Sequence, residues 1–252
     1  MQYNYEITEN PAEFRDQILQ LWLENMPDTP PSRFEWLTSG NPAGKTKWFL
    51  ALDSQSNTLT GVITIMPRQF VCNDKKTLFG IMGDFVVDKR HRGFGGPGLK
   101  LPKYALDKAG ELGFSLIYTT PYYGTVKHFE RAGFNYKLGL QWFIKPLVFD
   151  RHVRHNFLAR FLNIAAFFLD TTYRSLFLNP VALSGNYFKT SNTLDAAYDS
   201  FWKELYKKHS ILGSRDSNYL IWRYLKNPLT KFQVLTLKEK GSDDLFGYII
   251  YA

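Results

Sequence analysis

The chain has 252 residues, 44% of them hydrophobic and 17% aromatic, which is enough to build packed cores and excludes a disordered protein. Its one cysteine, Cys72, excludes a disulfide framework and a cysteine-based metal site, so we expect no metal and a reducing, cytoplasmic location. The net charge of +8 is spread along the chain, with a dense run only at 89–92, so we expect no nucleic-acid partner.

The first third of the chain predicts one strand, two helices and a run of four strands. Residues 3–7 predict a strand, and apolar residues at helical spacing predict an amphipathic helix over 11–26. A short helix follows at 32–38. Strands are predicted at 48–52, 59–66, 69–72 and 78–87, with Asn73-Asp74 as a hairpin turn.

A glycine-dense segment and further alternating elements come next. The predicted order is a helix carrying Leu101 and Ala105, a strand at 115–120, a helix at 124–132 ended by Gly133, and strands near 135–147. We expect Pro102 in the first turn of its helix, because a proline deeper inside removes a hydrogen bond.

The segment between strand 78–87 and the next helix predicts a phosphate-binding loop. Glycines there let backbone N–H groups point into one concavity, and the following helix adds its positive N-terminal end. The spacing from Gly93 to Gly98 matches a P-loop, but Leu99-Lys100 stands where Lys-Ser/Thr is needed. The same residues spell the dinucleotide fingerprint, but residues 88–92 separate them from the strand and strand 115–120 ends without an acid. The P-loop interpretation therefore fails, and the dinucleotide interpretation is weak.

A third pattern fits better. Val87-Asp88-x-x-x-Arg92-Gly93-x-Gly95 resembles the acyl-CoA signature of the GNAT acyltransferases, Arg/Gln-x-x-Gly-x-Gly/Ala after the central strand. Two registers fit, one starting at Arg90 and one at Arg92 that ends at Gly98, and we favour Arg92. Residues 126–134 resemble the closing helix and Gly-Phe of the same family. The resemblance covers about residues 1–148.

This resemblance implies an α+β fold with a mixed, mostly antiparallel central sheet flanked by helices. It also implies an acyl-CoA-dependent N-acyltransferase that moves an acetyl or other acyl group directly to an amine, with acetyl-CoA or another acyl-CoA as cofactor. The cofactor-binding residues implied are Val86, Val87, Arg90, Arg92, Gly93, Phe94, Gly95, Gly96 and Gly98.

Three residues are candidates for the acid–base chemistry. Asp84 is the candidate base, because an isolated carboxylate within an apolar strand must face a cleft, be paired or be protonated. The general acid that would protonate the leaving thiolate is harder to assign, because Phe129 occupies the position where the family commonly has tyrosine. Tyr122 and Tyr123 are the nearest substitutes, and Phe129 itself is expected in the core.

The second half of the chain repeats part of the first. Trp36 to Pro42 aligns with Trp222 to Pro228 at an offset of 186 residues, and the same offset matches Gly61 with Gly247. Fixed-offset similarity predicts a duplicated module. We therefore divide the chain into a GNAT-like domain at 1–148, a connecting segment at 149–182, and a partial second module at 183–252 without a CoA loop. Because the repeat stops before its own glycine loop, we expect a longer parent protein.

The connecting segment is basic at its start and apolar from 156 to 169. It predicts either an amphipathic helix packed between the modules or a peripheral membrane contact, and we favour the packing interpretation. No apolar run reaches the roughly 20 residues needed to span a bilayer.

Two other functional classes stay open. One is a Fem-like tandem aminoacyl transferase of cell-wall assembly, and the other is a non-catalytic acyl-CoA-binding module. The amine-bearing acceptor is not identified by the sequence, because substrate loops vary freely on this scaffold.

Overall fold

The computed structural model describes residues 2–135, 186–191, 193–239, 241 and 244–252. The described residues from 2 to 135 and from 188 to 252 belong to one compact unit. The predicted boundaries at 148 and 182, the strands near 135–147 and the segment 156–169 lie outside the described residues.

A six-stranded sheet organises the compact unit. Its strands are β1 (Tyr3–Thr8), β2 (Lys47–Asp53), β3 (Leu59–Cys72), β4 (Lys75–Val87), β5 (Leu116–Tyr118) and β7 (Ile211–Gly213). The order is β1-β2-β3-β4-β5, and β7 joins the end of β3. Only β4 and β5 are parallel, and the other pairs are antiparallel. The predicted mixed, mostly antiparallel sheet is confirmed.

Helices cover both faces of this sheet because its strands are apolar on both sides. One face carries α1 (Arg15–Asn25) and α2 (Ser32–Thr38), whose Ile18, Trp22 and Trp36 pack against Trp48 and Met66. The other face carries α3 (Pro97–Ala109) and α4 (Val126–Arg131), whose Leu101, Ala105 and Phe129 pack on Phe49, Ile63 and Ile65. Each face therefore has its own hydrophobic core.

The last part of the chain adds a smaller sheet. Strands β6 (Asn186–Ser191), β8 (Gln233–Glu239) and β9 (Leu245–Tyr251) pair in the order β6-β8-β9. Helix α5 (Ala196–Tyr206) precedes β7, and α6 (Ser217–Leu220) continues as a π-helix over Ile221–Leu225. Six residues of this part of the chain belong to the core under α1 and α2: Leu194, Tyr198, Tyr219, Leu220, Trp222 and Val234. The two halves of the chain thus share one core.

The 186-residue offset recurs in backbone geometry. In the β2–β3 pair, Ala51 lies opposite Gly61 and a bulge follows; in the β8–β9 pair, Leu237 lies opposite Gly247 and a bulge follows. The side chain of Asn41 accepts a hydrogen bond from the N–H of Ala43, and Asn227 accepts one in the same way from Leu229. Register, bulge and turn therefore match, while the origin of the two halves from one duplicated module stays a prediction.

Most predicted elements are present at about the expected positions, and two expectations are wrong. Residues 59–66 and 69–72 form one continuous strand rather than two. Pro102, expected in the first turn of α3, lies inside the helix, because Pro97 already takes the first helical position. Asn73 and Asp74 have positive φ angles of 47° and 63°, as the predicted hairpin turn requires.

Trp36 and Trp222 join the two halves directly. Their rings stack with centroids 4.7 Å apart and an interplanar angle of 8°. The indole N–H of Trp36 donates to the Trp222 carbonyl at 2.9 Å, and both residues are buried. Residues 186 positions apart therefore contact each other directly within the shared core.

We expect Trp222→Ala to lower the free energy of unfolding by roughly 3–5 kcal/mol, because it leaves a large cavity against Trp36. The corresponding fall in Tm is about 10 °C for a chain of this size. The control is Phe246→Ala, since this side chain in the same half is 54% exposed. Thermal unfolding followed by circular dichroism measures both variants. Equal, small shifts would show that the second half does not stabilise the first.

Candidate functional site

The central strand β4 changes geometry midway along its length. Strand β5 pairs only with residues Phe79 to Ile81 of β4, so no described strand pairs with this edge of β4 beyond Ile81. Just past that point β4 has a bulge, and Asp84 takes a positive φ of 51°. A bulge turns a strand and redirects its side chains. The carboxyl end of β4 is thereby separated from β5.

The glycine loop after β4 presents backbone N–H groups. Gly93 and Gly95 have φ angles of 122° and 80°, which L side chains rarely adopt. A Cβ at Gly96 would lie 2.1 Å from the His91 carbonyl oxygen, so only glycine fits there. The N–H groups of Gly93, Phe94 and Gly95 have no acceptor among the described residues. Together with the N-terminus of α3, they surround a concavity of the kind that suits an anion.

Asp88 holds the start of this loop. Its carboxylate accepts hydrogen bonds from the backbone N–H of Arg90 at 2.8 Å and from the Arg90 guanidinium at 2.6 Å. The Arg90 guanidinium hydrogen bond is the largest of the effects that lower the pKa of Asp88, although burial opposes them. The guanidinium of Arg90 is therefore paired with Asp88, and the Arg90 side chain does not line the cavity described below.

We expect Asp88→Asn to destabilise the protein by about 1 kcal/mol near pH 7, as for loss of a helix cap. The folded-state pKa of Asp88 is lowered, so its contribution is present above the unfolded-state pKa and is lost as pH falls through the folded value. Thermal unfolding of both proteins should therefore show a Tm difference at pH 7 that closes in strong acid. A difference independent of pH would contradict this role.

A cavity of about 930 Å³ lies at the carboxyl end of β4. This volume is in the range of small-molecule and cofactor sites. Eight of the nine predicted cofactor residues line it, and only Arg90 does not: Val86, Val87, Arg92, Gly93, Phe94, Gly95, Gly96 and Gly98. Arg92 donates to the Val87 carbonyl at 3.0 Å and to the Asn25 side chain, which fixes the guanidinium between β4 and the end of α1.

Two of the predicted acid–base residues, Asp84 and Tyr122, do not line this cavity. Asp84 forms an ion pair with Arg33 at 2.6 Å, accepts a hydrogen bond from Thr64 at 3.1 Å, and has a side chain only 7% exposed. Tyr122 is 83% exposed, and the side chain of Tyr123 lies outside the described residues. Phe129 is buried edge-to-face against Phe85 and Phe134, as expected for a core residue.

Eight further residues line the cavity that the sequence did not assign to the cofactor site: Asn25, Met26, Phe85, Leu99, Lys100, Thr125, His128 and Arg131. Lys100 and Arg131 give its wall a positive charge. His128 and Arg131 lie three residues apart on α4, a spacing that places them on one helix face. That spacing was the available sequence signal, but only the fold shows that the face is turned to the cavity.

The described residues contain no cluster of three metal-ligating side chains. Within the same residues, no helix is long and apolar enough to cross a bilayer. The predicted connecting helix or membrane contact at 156–169 lies outside them.

Solved structures show which fold this is. The whole chain superposes on 55% of a conserved protein from Enterococcus faecalis V583 described as a probable N-acyltransferase, with a TM-score of 0.60 and 15% identity. The chain has a GNAT-type fold. It spans about half the length of that protein. No protein-family model and no curated protein matches the sequence.

Two shorter proteins also superpose on part of this chain. A putative acetyl transferase from Pyrococcus furiosus is 23% identical, with 57% of this chain and 99% of that chain covered and a TM-score of 0.45. An acetyltransferase from Trypanosoma brucei is 14% identical, with 57% and 100% covered and a TM-score of 0.44.

Proposed function

We propose that the protein is an acyl-CoA-dependent N-acyltransferase that transfers an acetyl or other acyl group directly to an amine. The observation that carries this proposal is the cavity at the end of β4, where open backbone N–H groups, the start of α3 and Arg92 surround one concavity. Such a concavity suits a pyrophosphate. The GNAT-type fold supports acyl transfer, and the acceptor is an amine-bearing molecule.

The residues around the cavity fit an acyl-CoA. The N–H groups of Gly93 to Gly95 and the side chain of Arg92 would hold the pyrophosphate, and Lys100 and Arg131 add positive charge. The edge of β4 at Val86 and Val87, which no described strand pairs with, would hydrogen-bond the pantetheine arm. When bound, the acyl-CoA supplies the activated thioester whose acyl group is transferred.

Asp84 is the proposed base for the acceptor amine. Its bulge position turns the carboxylate toward Arg33 of α2, while the next residue, Phe85, lines the cavity. The acceptor would therefore approach from the face that carries α2, and the acyl-CoA would lie in the cavity. Arg33 and Thr64 orient the carboxylate, and an amine proton would pass to it as the amine attacks.

One observation favours a second function, a non-catalytic acyl-CoA-binding module. Phe129 occupies the helix position where the resemblance leads us to expect an acid, and it is buried among other rings. No described tyrosine lines the cavity. A binding module needs the loop but not an acid for the leaving thiolate.

Acetyl-CoA binding and thiol release test the proposal together. At a concentration about 100 times its Kd, a ligand stabilises a protein by about 2.7 kcal/mol, so we expect Tm to rise by roughly 5–10 °C. A panel of primary amines should then release free CoA thiol faster than acetyl-CoA alone. Stabilisation without amine-dependent release would favour the binding module. No stabilisation by millimolar acetyl-CoA would contradict both functions.

A further inference from the structure

Arg68 of β3 places a cation next to the point where β4 and β5 separate. Its Nη1 donates to the hydroxyl of Tyr118 at 2.8 Å, and Tyr118 is the last residue of β5. The guanidinium carbon lies 5.2 Å from the centre of the Phe70 ring and 5.3 Å from that of Tyr219. The aromatic side chains of Phe70 on β3, Tyr118 on β5 and Tyr219 on α6 thus hold the guanidinium in one position.

This cation has no carboxylate partner among the described residues. Burial raises the pKa of Tyr219, although Arg68 itself opposes that shift, so the phenol stays neutral and does not balance the charge. The Nε atom is buried without a hydrogen-bond partner, and Nη2 also has none in the described part of the chain. Cation–π contacts with Phe70 and Tyr219 compensate only part of the lost hydration.

Arg68 and Asp84 lie on the same face of the sheet. Thr64, which donates to Asp84, and Arg68 are four residues apart on β3, and side chains two and four apart share a face. Their Cα atoms are therefore about 13 Å apart along the strand. The guanidinium of Arg68, which has no described carboxylate partner, therefore lies at one end of this stretch of β3. The proposed base, Asp84, lies at the other end.

We propose that Arg68 and Tyr118 bind a carboxylate of the acceptor, so that the substrate is an amine that also carries a carboxylate. Because Nε is buried and Gly213 lies against the guanidinium, the carboxylate would accept single hydrogen bonds from Nη2 of Arg68 and from the Tyr118 hydroxyl. A held guanidinium loses little freedom on binding. The assignment of this anion to the acceptor rests on the proposed transferase function.

A carboxylate fits this position better than a phosphate. Arg68 is the cation that donates to Tyr118, whereas Arg223, which also acts on Tyr219 electrostatically, lies over the Trp36 ring, 5.6 Å from its centre. One monoanion neutralises one guanidinium. The glycine loop, with several N–H groups and Arg92, is the site that suits a phosphate dianion.

Stability separates a binding role from a structural one. Arg68→Met keeps the packing against Phe70 and Tyr219 and removes an unbalanced charge. If Arg68 binds a ligand and does not stabilise the fold, the Tm of Arg68→Met should equal or exceed that of the wild-type protein. The matched control is Arg15→Met, which removes an exposed guanidinium paired with Glu35. A Tm loss larger than in this control would show that Arg68 is a structural cation, and the proposal would fail.

Ligand binding and specificity complete the test. Succinate should raise the Tm of the wild-type protein, while succinamide should not, and Arg68→Met should abolish the difference. A stronger response to inorganic phosphate, or none to succinate, would overturn the proposal. For a pair of amines that differ only as carboxylate and carboxamide, we expect the preference in kcat/KM for the carboxylate to fall at least about tenfold in Arg68→Met. If succinate binds but no acyl transfer is observed, the anion site at Arg68 would be supported and the proposed transferase function would be contradicted.

Discussion

Gly98→Val is expected to abolish the stabilisation of the protein by acetyl-CoA while leaving the fold intact. Gly98 lines the cavity near the start of α3, and a Cβ placed there meets no protein atom within 4 Å. The valine side chain would therefore occupy space that the ligand needs. Because glycine is a poor helix former, the free protein should be at least as stable as the wild type.

Gly110→Val is the matched control for this variant. Gly110 lies at the other end of α3, has helical backbone angles and also has open space where a Cβ would lie, but it does not line the cavity. Thermal shifts with acetyl-CoA should be lost in Gly98→Val and kept in Gly110→Val. We expect the affinity for acetyl-CoA to fall at least about a hundredfold, equivalent to roughly 2.7 kcal/mol. Equal shifts in both variants would place the acyl-CoA elsewhere.

Asp84→Asn is expected to lower turnover by about 10²–10⁴, the usual contribution of a positioned acid or base. Asparagine has the same shape and tolerates the positive φ of 51°, so the bulge should persist. Acetyl-CoA affinity should stay within about twofold, because Asp84 does not line the cavity. The measurement uses whichever amine gives the fastest thiol release in the panel.

Two controls separate a base from a structural carboxylate. Asp107→Asn removes an exposed carboxylate that pairs with Lys103 on α3 and should leave turnover unchanged. The Tm of Asp84→Asn shows how much the loss of the Arg33 ion pair destabilises the fold. Wild-type turnover would exclude Asp84 from the reaction, and a parallel loss of acetyl-CoA affinity would indicate a structural role.

Most residues of the cavity wall that the sequence assigned were predictable because they are adjacent in the chain. A strand, a glycine-rich turn and a helix start form a local concavity, so residues 86–98 carry the signal without help from distant contacts. Arg90 is the exception. Both arginine registers fitted the motif, and only the pairing of Arg90 with Asp88 separated it from Arg92.

The sequence by itself determined the alternation of strands and helices, the glycine loop and the 186-residue correspondence, because each is encoded in local spacing or in a fixed offset. The tertiary structure alone decided that Asp84 meets Arg33, that Trp36 stacks on Trp222, and that Arg68 lies beside Tyr118 without a carboxylate among the described residues. These partners are 50–186 residues apart. Periodicity shows which face of an element is buried, but the partner across a core or an ion pair depends on how the strands are ordered in the sheet.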